Sequence, residues 1–290
     1  MKQLVILSGK GGTGKTTVAG AFIKLTRARA YADCDVDAPN LHLISKHNSE
    51  PERNDYYGLP KANIDVKKCQ NCSLCEANCR FEAISHGARF YVDWYACEGC
   101  GVCEFVCPAR AITMKEAVAG EMMLYRNGSV FSTAKLSMGS GTSGKLVSEV
   151  KKQLASVVDK ETIAIIDGSP GIGCPVIASL SGADMALIVA EPSISGISDM
   201  ERIITSAKHF GVKTIVCVNK YDININNTRK IESYCRENEI PFAGKIPYDE
   251  NAIKAINEGK SIAEVECMAG YAIKAIYDRI IEIMKGNDIL

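Results

Sequence analysis

The sequence predicts an α/β protein, a doubly wound and mostly parallel sheet with a small α+β module inserted into it. Three observations carry that expectation. Short apolar runs recur along the 290 residues, and segments of helical character separate them. The first run opens into a glycine-rich loop followed by a helical stretch. Past residue 58 the composition switches to one dominated by cysteine, and past residue 115 it switches back. The expected division is 1–58 and 116–290 for the sheet domain, with 59–115 as the insert.

The first run is Leu4-Val5-Ile6-Leu7, which reads as a buried parallel strand. Gly9-Lys10-Gly11-Gly12-Thr13-Gly14-Lys15-Thr16 follows and fits the phosphate-binding pattern G-x-x-x-x-G-K-[ST]. Thr16 to Thr26 then reads as a helix with Ala19, Phe22, Ile23 and Leu25 as its apolar positions. Strand, glycine loop and helix is the order that phosphate binding needs. The glycines let backbone N–H groups turn inward, and the helix N-terminus adds positive potential. On this pattern Gly9, Gly11, Gly12, Thr13, Gly14, Thr16 and Thr17 cradle the nucleotide, Lys15 reaches the β- and γ-phosphates, and the Thr16 hydroxyl ligates Mg²⁺.

Ala28 to Ala32 is a short candidate strand leading to Asp33-Cys34-Asp35-Val36-Asp37-Ala38-Pro39-Asn40. Acidic residues at alternate positions of a strand end can point into one site; the alternative is a polar loop with an Asx turn. Residues 45–62 are a polar run (Lys46, His47, Asn48, Glu50, Pro51, Glu52, Arg53, Asn54, Asp55) with Gly58 and Pro60 behind it, and read as a linker.

Eight of the thirteen cysteines then fall in two runs, Cys69-x-x-Cys72-x-x-Cys75-x-x-x-Cys79 and Cys97-x-x-Cys100-x-x-Cys103-x-x-x-Cys107-Pro108, 28 residues apart. Ala83-Ile84 aligns with Ala111-Ile112, so the repeat extends past the cysteines. Structural zinc uses C-x-x-C pairs, but seldom a third cysteine at the same step and a duplicated fourth. A disulfide framework needs an oxidising compartment, which nothing else in the chain suggests. The runs resemble those of the two-cluster bacterial ferredoxins, over about residues 61–114. That resemblance implies two [4Fe-4S] clusters, one held by Cys69, Cys72, Cys75 and Cys107, the other by Cys97, Cys100, Cys103 and Cys79. Arg80 stands where such proteins usually carry proline. His86 and Trp94 read as packing around the clusters.

Behind the insert, Met122–Tyr125 and Val130–Phe131 flank Asn127-Gly128, a hairpin signal. Gly139-Ser140-Gly141-Thr142-Ser143-Gly144-Lys145-Leu146 nearly repeats the phosphate loop but ends in Leu, and reads as a loop before a helix from about Leu146 to Val158. Thr162 to Asp167 is an apolar run closing on an acid, the place of a Mg²⁺-directing aspartate acting through water. Met185–Ala190 and Lys213–Val218 are two more buried strands, with Glu191-Pro192-Ser193 and Asn219-Lys220 at their carboxyl ends, where open α/β sheets place ligand groups. Cys34, Cys174, Cys217, Cys235 and Cys267 read as small buried thiols. The C-terminal stretch Gly270–Lys285 is a charge-balanced packed helix.

Lys10 as the second residue of the loop, together with the Asp33-x-Asp35 stretch, Asn40 and Gly168-Ser169-Pro170-Gly171, resembles the MinD/ParA/Mrp-like ATPases, the deviant Walker A class of P-loop NTPases. The resemblance covers about residues 1–58 and 116–290. It implies a homodimer around two ATP·Mg²⁺ in which Lys10 crosses to the partner's nucleotide, Asp35 stands by the attacking water and the Mg²⁺ shell, and Asp167 acts on Mg²⁺. It also implies that Asn219, Pro247 and Asp249 meet the adenine. The catalytic set so implied is Lys10, Lys15, Asp35 and Asp167.

Net charge is zero, with 34 basic and 34 acidic residues, so the basic excess of a nucleic-acid or anionic-membrane binder is missing. No apolar run reaches 18 residues and no signal peptide precedes the first strand, so a cytoplasmic protein is expected. The joint expectation is an ATPase whose nucleotide state is coupled to iron–sulfur clusters, for electron delivery to a metalloenzyme or for cluster assembly and transfer. Its partner would be an unidentified redox or metallocluster protein. The alternative is a redox-sensing regulator with a nucleotide-dependent interaction.

Overall fold

The computed structural model describes residues 1–44, 49–126, 128–160 and 162–284. Lys46, His47 and Asn48 of the polar run, Asn127 of the expected turn and Lys285 lie outside them.

The chain divides into two units. The first comprises Met1–Glu52, Met123–Ala134 and Gly144–Leu290; the second comprises Arg53–Met122 and Lys135–Ser143. In the first unit the strands are β1 (Lys2–Leu7), β2 (Ala30–Asp33), β9 (Val130–Leu136), β10 (Ile163–Asp167), β11 (Met185–Ala190), β12 (Lys213–Asn219) and β13 (Phe242–Ile246). They stand in the order β13-β12-β11-β1-β10-β2-β9 and every one of these pairings is parallel. The helices are α1 (Lys15–Thr26), α4 (Ser143–Ala155), α5 (Cys174–Leu180), α6 (Ile194–His209), α7 (Ile225–Glu237), α8 (Glu250–Asn257) and α9 (Met268–Met284). Strands and helices alternate because each parallel step needs a crossover.

Strand burial shows why these runs carry no polar alternation. Leu4 and Ile6 and their alternates Val5 and Leu7 are all fully buried, so both faces of the sheet are covered. On one face Leu4, Ile165, Tyr31 and Phe131 form a row across four strands, with the Tyr31 and Phe131 rings stacked at 5.0 Å. α1 and α9 pack over that face, where Phe22 meets the Tyr277 ring edge-on at 5.4 Å. Two residues further along, the same row turns polar. Asp167 pairs in register with Asp33, and Asp33 with Thr133. A parallel register keeps these side chains on one face, so the sheet presents two carboxyls and a hydroxyl at its carboxyl end.

The second unit repeats itself. α2 (Leu74–Ala77) and α3 (Val102–Phe105) each follow a cysteine pair; β4 (Lys61–Ile64) pairs antiparallel with β7 (Ile112–Lys115), and β5 (Ile84–His86) with β6 (Phe90–Val92). The backbone repeats as well. Positive φ occurs at Asn71 and Gly99, at Ser73 and Gly101, and at Glu82 and Arg110, each pair 28 residues apart. Asp65 and Asp93 open the halves alike. The Cys69 N–H bonds the Asp65 carbonyl and the Cys97 N–H the Asp93 carbonyl, each at 3.0 Å.

The stretch expected as a linker is partly strand: β3 (Glu52–Tyr57) lies in it and β4 begins at its end. β3 shows no apolar alternation because Tyr56 is its one buried side chain, and Arg53 pairs with Glu121 at 2.6 Å on β8 (Val118–Arg126). β8 and β9 each contribute residues to both units.

Candidate functional site

The loop between β1 and α1 holds Gly9, Gly11, Gly12, Thr13 and Gly14; Thr16 and Thr17 lie in the first turn of α1. Gly14 sits at φ 91°, a left-handed conformation, and an added Cβ there would come within 2.3 Å of Asn219 Nδ2. Lys15 is buried, and its Nζ lies 2.5 Å from Asp167 Oδ1 and 3.4 Å from Thr16 Oγ1. Asp167 is fully buried, and its other oxygen, Oδ2, has no hydrogen-bond partner among the described residues. A buried, unpaired carboxylate oxygen beside a threonine hydroxyl fits the outer shell of a hydrated Mg²⁺, which keeps several waters when protein-bound. Thr133 Oγ1, on the same polar row, is also buried without a hydrogen-bond partner among the described residues; nothing in the sequence around Val130–Phe131 marked it.

The acidic stretch after β2 divides its labour. Asp33 accepts from the N–H groups of Asp35 at 3.0 Å and of Asn40 and Leu41 at 2.9 Å each, so its carboxyl shapes the following loop. Asp35 is half-buried and Asp37 exposed. Burial raises the Asp35 carboxyl, and Lys15 works against that rise. Burial, with Asp167 next to it, pushes the Asp33 carboxyl up to about 7. A carboxyl raised on folding stabilises the fold at low pH, and that contribution is lost as pH rises through its folded value. The wild-type unfolding temperature is therefore expected to fall by a few degrees more than that of Asp33→Asn between pH 5 and pH 8. Thermal unfolding of the two chains across that range checks it.

The other expected residues are placed as follows. Asn219 uses its side chain on the loop, not on an open pocket: Nδ2 donates to the Thr13 carbonyl at 2.7 Å and Oδ1 accepts from the Lys220 N–H at 3.0 Å. The resemblance implies a base contact; in this structure the side chain braces the loop. Asn219→Ala is expected to weaken ATP and GTP equally, by about fivefold for one lost hydrogen bond. Titration with both nucleotides tests this, since a base-reading residue would change their ratio. Asp249 is likewise committed. It caps α8 by accepting from the Asn251 N–H at 2.9 Å and accepts from the Ala269 N–H at the start of α9 at 3.0 Å. These bonds, the one from Ala269 first, hold its carboxyl below the ordinary range. Lys10 is held within its own chain, 2.6 Å from Glu191 Oε2 and within 3.4 Å of the Ser193 and Ser195 hydroxyls.

Among the cysteines outside the runs, Cys34, Cys217, Cys235 and Cys267 are buried as expected. Cys174 is exposed, contrary to expectation, because it opens α5 where the chain leaves the carboxyl end of β10.

In the second unit the eight cysteines sort into two cavities. One is lined by Cys69, Cys72, Cys75 and Cys107, the other by Cys79, Cys97, Cys100 and Cys103. Each takes three thiols from one run and the fourth from the other. The Ala83 N–H points at Cys79 Sγ (3.4 Å) and the Ala111 N–H at Cys107 Sγ (3.3 Å), the donors a metal thiolate requires. Burial pushes the Cys103 thiol up to about 11, so a cation is needed to hold it as thiolate at neutral pH. Among the described residues no three His, Cys, Asp or Glu side chains converge on a single ion. A four-iron cage binds each thiolate at a different corner and does not require that convergence. The donor set, four thiols to a cavity, fits [4Fe-4S] groups. His86 and Trp94 are exposed and do not pack the cavities; His86 leans on the Phe90 ring at 4.5 Å.

A strand, a left-handed glycine loop, a buried lysine on a strand-end aspartate and a helix N-terminus define a nucleotide-binding P-loop protein. Residues 4–262 match the family described as the CobQ/CobB/MinD/ParA nucleotide binding domain, and the chain belongs to that family. It is 30% identical over 287 residues to an uncharacterized protein of Methanocaldococcus jannaschii, covering 97% of each chain. It is 23% identical to the iron-sulfur cluster carrier protein of the same organism, covering 98% of this chain and 86% of that one. Its fold matches the septum site-determining protein MinD of Pyrococcus horikoshii complexed with Mg-ADP, with a TM-score of 0.58, 16% identity and coverage of 100% and 99%. Among the described residues no helix is long and apolar enough to cross a membrane.

Proposed function

We propose that this chain is an ATPase that couples its nucleotide state to two [4Fe-4S] clusters, acting in electron delivery to a metalloenzyme or in assembly and transfer of a metal cluster. The observation that carries the reading is the three-plus-one lining of both cysteine cavities in a chain that also bears a complete phosphate loop. The likeness to an iron-sulfur cluster carrier protein supports it further.

In this reading the backbone of Gly9 to Thr16, with Lys15, holds phosphate; Lys15 leaves Asp167 for the β- and γ-phosphates as nucleotide enters. Thr16 ligates Mg²⁺, and Asp167 and Asp35 reach it through water, with Asp35 also orienting the attacking water. Mg²⁺ supplies charge neutralisation on the phosphate oxygens. Two protomers form a homodimer across the nucleotide site, and Lys10 exchanges its own Glu191 for the partner's nucleotide. Cys69, Cys72, Cys75 and Cys107 hold one cluster and Cys79, Cys97, Cys100 and Cys103 the other, and the clusters supply one-electron chemistry. Phe105 at 91% exposure and Tyr95 at 78% give the cysteine-rich unit an apolar surface suited to a transient redox partner. The proposed domains are the sheet at 1–58 and 116–290 and the cluster module at 59–115, in a cytoplasmic protein that needs neither nucleic acid nor membrane.

Anaerobic purification with iron, sulfide and ATP-turnover assays tests the reading. It expects about eight iron atoms per chain and Mg²⁺-dependent ATP hydrolysis that slows when Lys10 is replaced by alanine. Zinc in place of iron would remove the redox half, and hydrolysis indifferent to Lys10 would remove the dimeric one.

A further inference from the structure

Three segments of the sheet unit are tied together at the carboxyl ends of its strands. The Asn219 side chain donates to the Thr13 carbonyl at 2.7 Å and the Lys220 ammonium to the Gly12 carbonyl at 3.1 Å, so the end of β12 is fastened to the phosphate loop at two points. The segment after β13 is fastened to the same turn, since the Tyr248 N–H donates to Asp222 Oδ1 at 2.8 Å. On the other side of β1 stand Asp167 and Asp33, at the ends of β10 and β2. A nucleotide whose phosphates lie in the loop and whose Mg²⁺ is drawn to those acids has its base on the opposite side, over the ends of β12 and β13.

A base edge is read by polar side chains with bonding capacity to spare. Asn219 is already bonded at both ends of its amide, to the Thr13 carbonyl and the Lys220 N–H. Asp249 has one oxygen on the Asn251 N–H and the other on the Ala269 N–H. Asp222 is exposed, and among the described residues its carboxyl accepts from the Tyr248 N–H alone. Its second oxygen is left for a ligand.

The turn that carries Asp222 is fixed from several sides. Lys220 holds a left-handed backbone, φ 53°, that a lysine seldom adopts, and its N–H bonds Asn219 Oδ1 at 3.0 Å. The Ile223 N–H bonds the Lys220 carbonyl at 3.1 Å, the Thr228 hydroxyl donates to the Tyr221 carbonyl at 2.8 Å, and the Lys245 ammonium sits 5.5 Å from the centre of the Tyr221 ring. Such a conformation persists where its surroundings over-determine it, and it clusters at ligand sites. The Lys220 stem, stretched from the end of β12 to Gly12, gives a flat ring an apolar strip to lie on.

A carboxylate only accepts hydrogen bonds. The base-pairing edge of guanine presents two adjacent donors, N1–H and the N2 amine, which meet a carboxylate as a bidentate fork does. Adenine presents one donor, its N6 amine, beside an N1 lone pair that would face an oxygen lone pair. Asp222 therefore favours guanine. An adenine nucleotide keeps its phosphate contacts and its stacking, which do not depend on that edge.

We propose that the nucleotide site takes guanine nucleotides as well as adenine nucleotides, and that Asp222 is the residue that reads the guanine edge. This rests on the proposed phosphate site of Gly9 to Thr16 and widens the substrate class named for it.

The test is calorimetric titration of the whole iron-loaded chain, anaerobic and with Mg²⁺, against GDP, ADP, IDP (which lacks the N2 amine) and XDP (which has a carbonyl in its place). The wild type is expected to bind GDP at least as tightly as ADP, and to bind IDP and XDP at least about tenfold more weakly than GDP. Asp222→Asn keeps an acceptor for the Tyr248 N–H and offers an amide N–H to the xanthine carbonyl. It is expected to weaken GDP and to strengthen XDP, each by at least about tenfold, and to leave ADP within about threefold of wild type. A merely structural role for Asp222 would move all four together. The comparison of GDP with IDP needs no substitution and serves if the variant does not fold. ADP bound more tightly than GDP by the wild type, IDP bound as tightly as GDP, or a ratio of GDP to XDP unmoved by Asp222→Asn each overturns the proposal. Failure of the underlying reading shows separately, as a wild type that binds none of the four, since all share the phosphates that the loop would hold; the proposal then falls with it.

Discussion

Lys15→Met is expected to weaken nucleotide binding by at least about 100-fold and also to destabilise the unliganded fold by about 3–5 kcal/mol. The first effect follows from the proposed phosphate contact, the second from Asp167. In the unliganded chain Asp167 is fully buried and, among the described residues, pairs with Lys15 at 2.5 Å. A methionine leaves that carboxylate charged and unpaired in a site that already has one unsatisfied oxygen and a second carboxyl, Asp33, in register beside it. Removing one member of a buried pair costs far more than the pair contributes, because the other charge loses its compensation. Adding Asp167→Asn to Lys15→Met is therefore expected to restore most of the stability and none of the binding. Urea unfolding and calorimetric titration of the two variants separate these effects. Equal binding loss with no stability loss would mean that Asp167 finds another partner.

Cys107→Ala is expected to halve the iron content, from about eight to about four atoms per chain, and to remove the same cluster as Cys72→Ala. Cys79→Ala should instead match Cys100→Ala. Sequence proximity predicts the opposite, since Cys107 adjoins the second run; the cavity linings set it with Cys69, Cys72 and Cys75. The variants should also lose much of the second unit's stability. Its buried core is small (Ala62, Ala83, Ile84, Phe90 and Ile112 around the thiols), and metal binding in such modules is a large part of folding free energy. Iron and sulfide analysis with EPR of the remaining cluster distinguishes the two pairings.

What the sequence made legible is what rests on local order. The phosphate loop is a contiguous string between a strand and a helix, and the cysteine runs repeat at a fixed offset that the backbone obeys down to its positive φ residues. The sheet's central strands β1, β10 and β11 could be traced because, buried on both faces, they carry uninterrupted apolar runs. β3 was hidden for the complementary reason: Glu-Arg-Asn-Asp-Tyr-Tyr has no period-two apolar pattern, because its charged side chains project to solvent. Side-chain commitments between distant residues were hidden too. Asn219 bonds a carbonyl 206 positions away, and Asp249 an amide 20 positions away. A residue type at the end of a strand says that a polar group is there, but not whether the backbone has already claimed it. Lys151 was the least visible: beside Lys152 on an amphipathic helix it reads as one more solvated charge, yet it is buried and donates to the carbonyls of Ser179 and Ser181 at 2.6 Å each.

The most direct measurement of the central claim is EPR of the dithionite-reduced protein with and without Mg·ATP. The account predicts signals of two [4Fe-4S] clusters whose line shape or midpoint potential changes when Mg·ATP is added, and does not change in Lys15→Met. Two clusters whose spectra and potentials are indifferent to nucleotide in the wild type would contradict it, leaving a nucleotide-binding domain and a cluster module that share a chain without sharing a function.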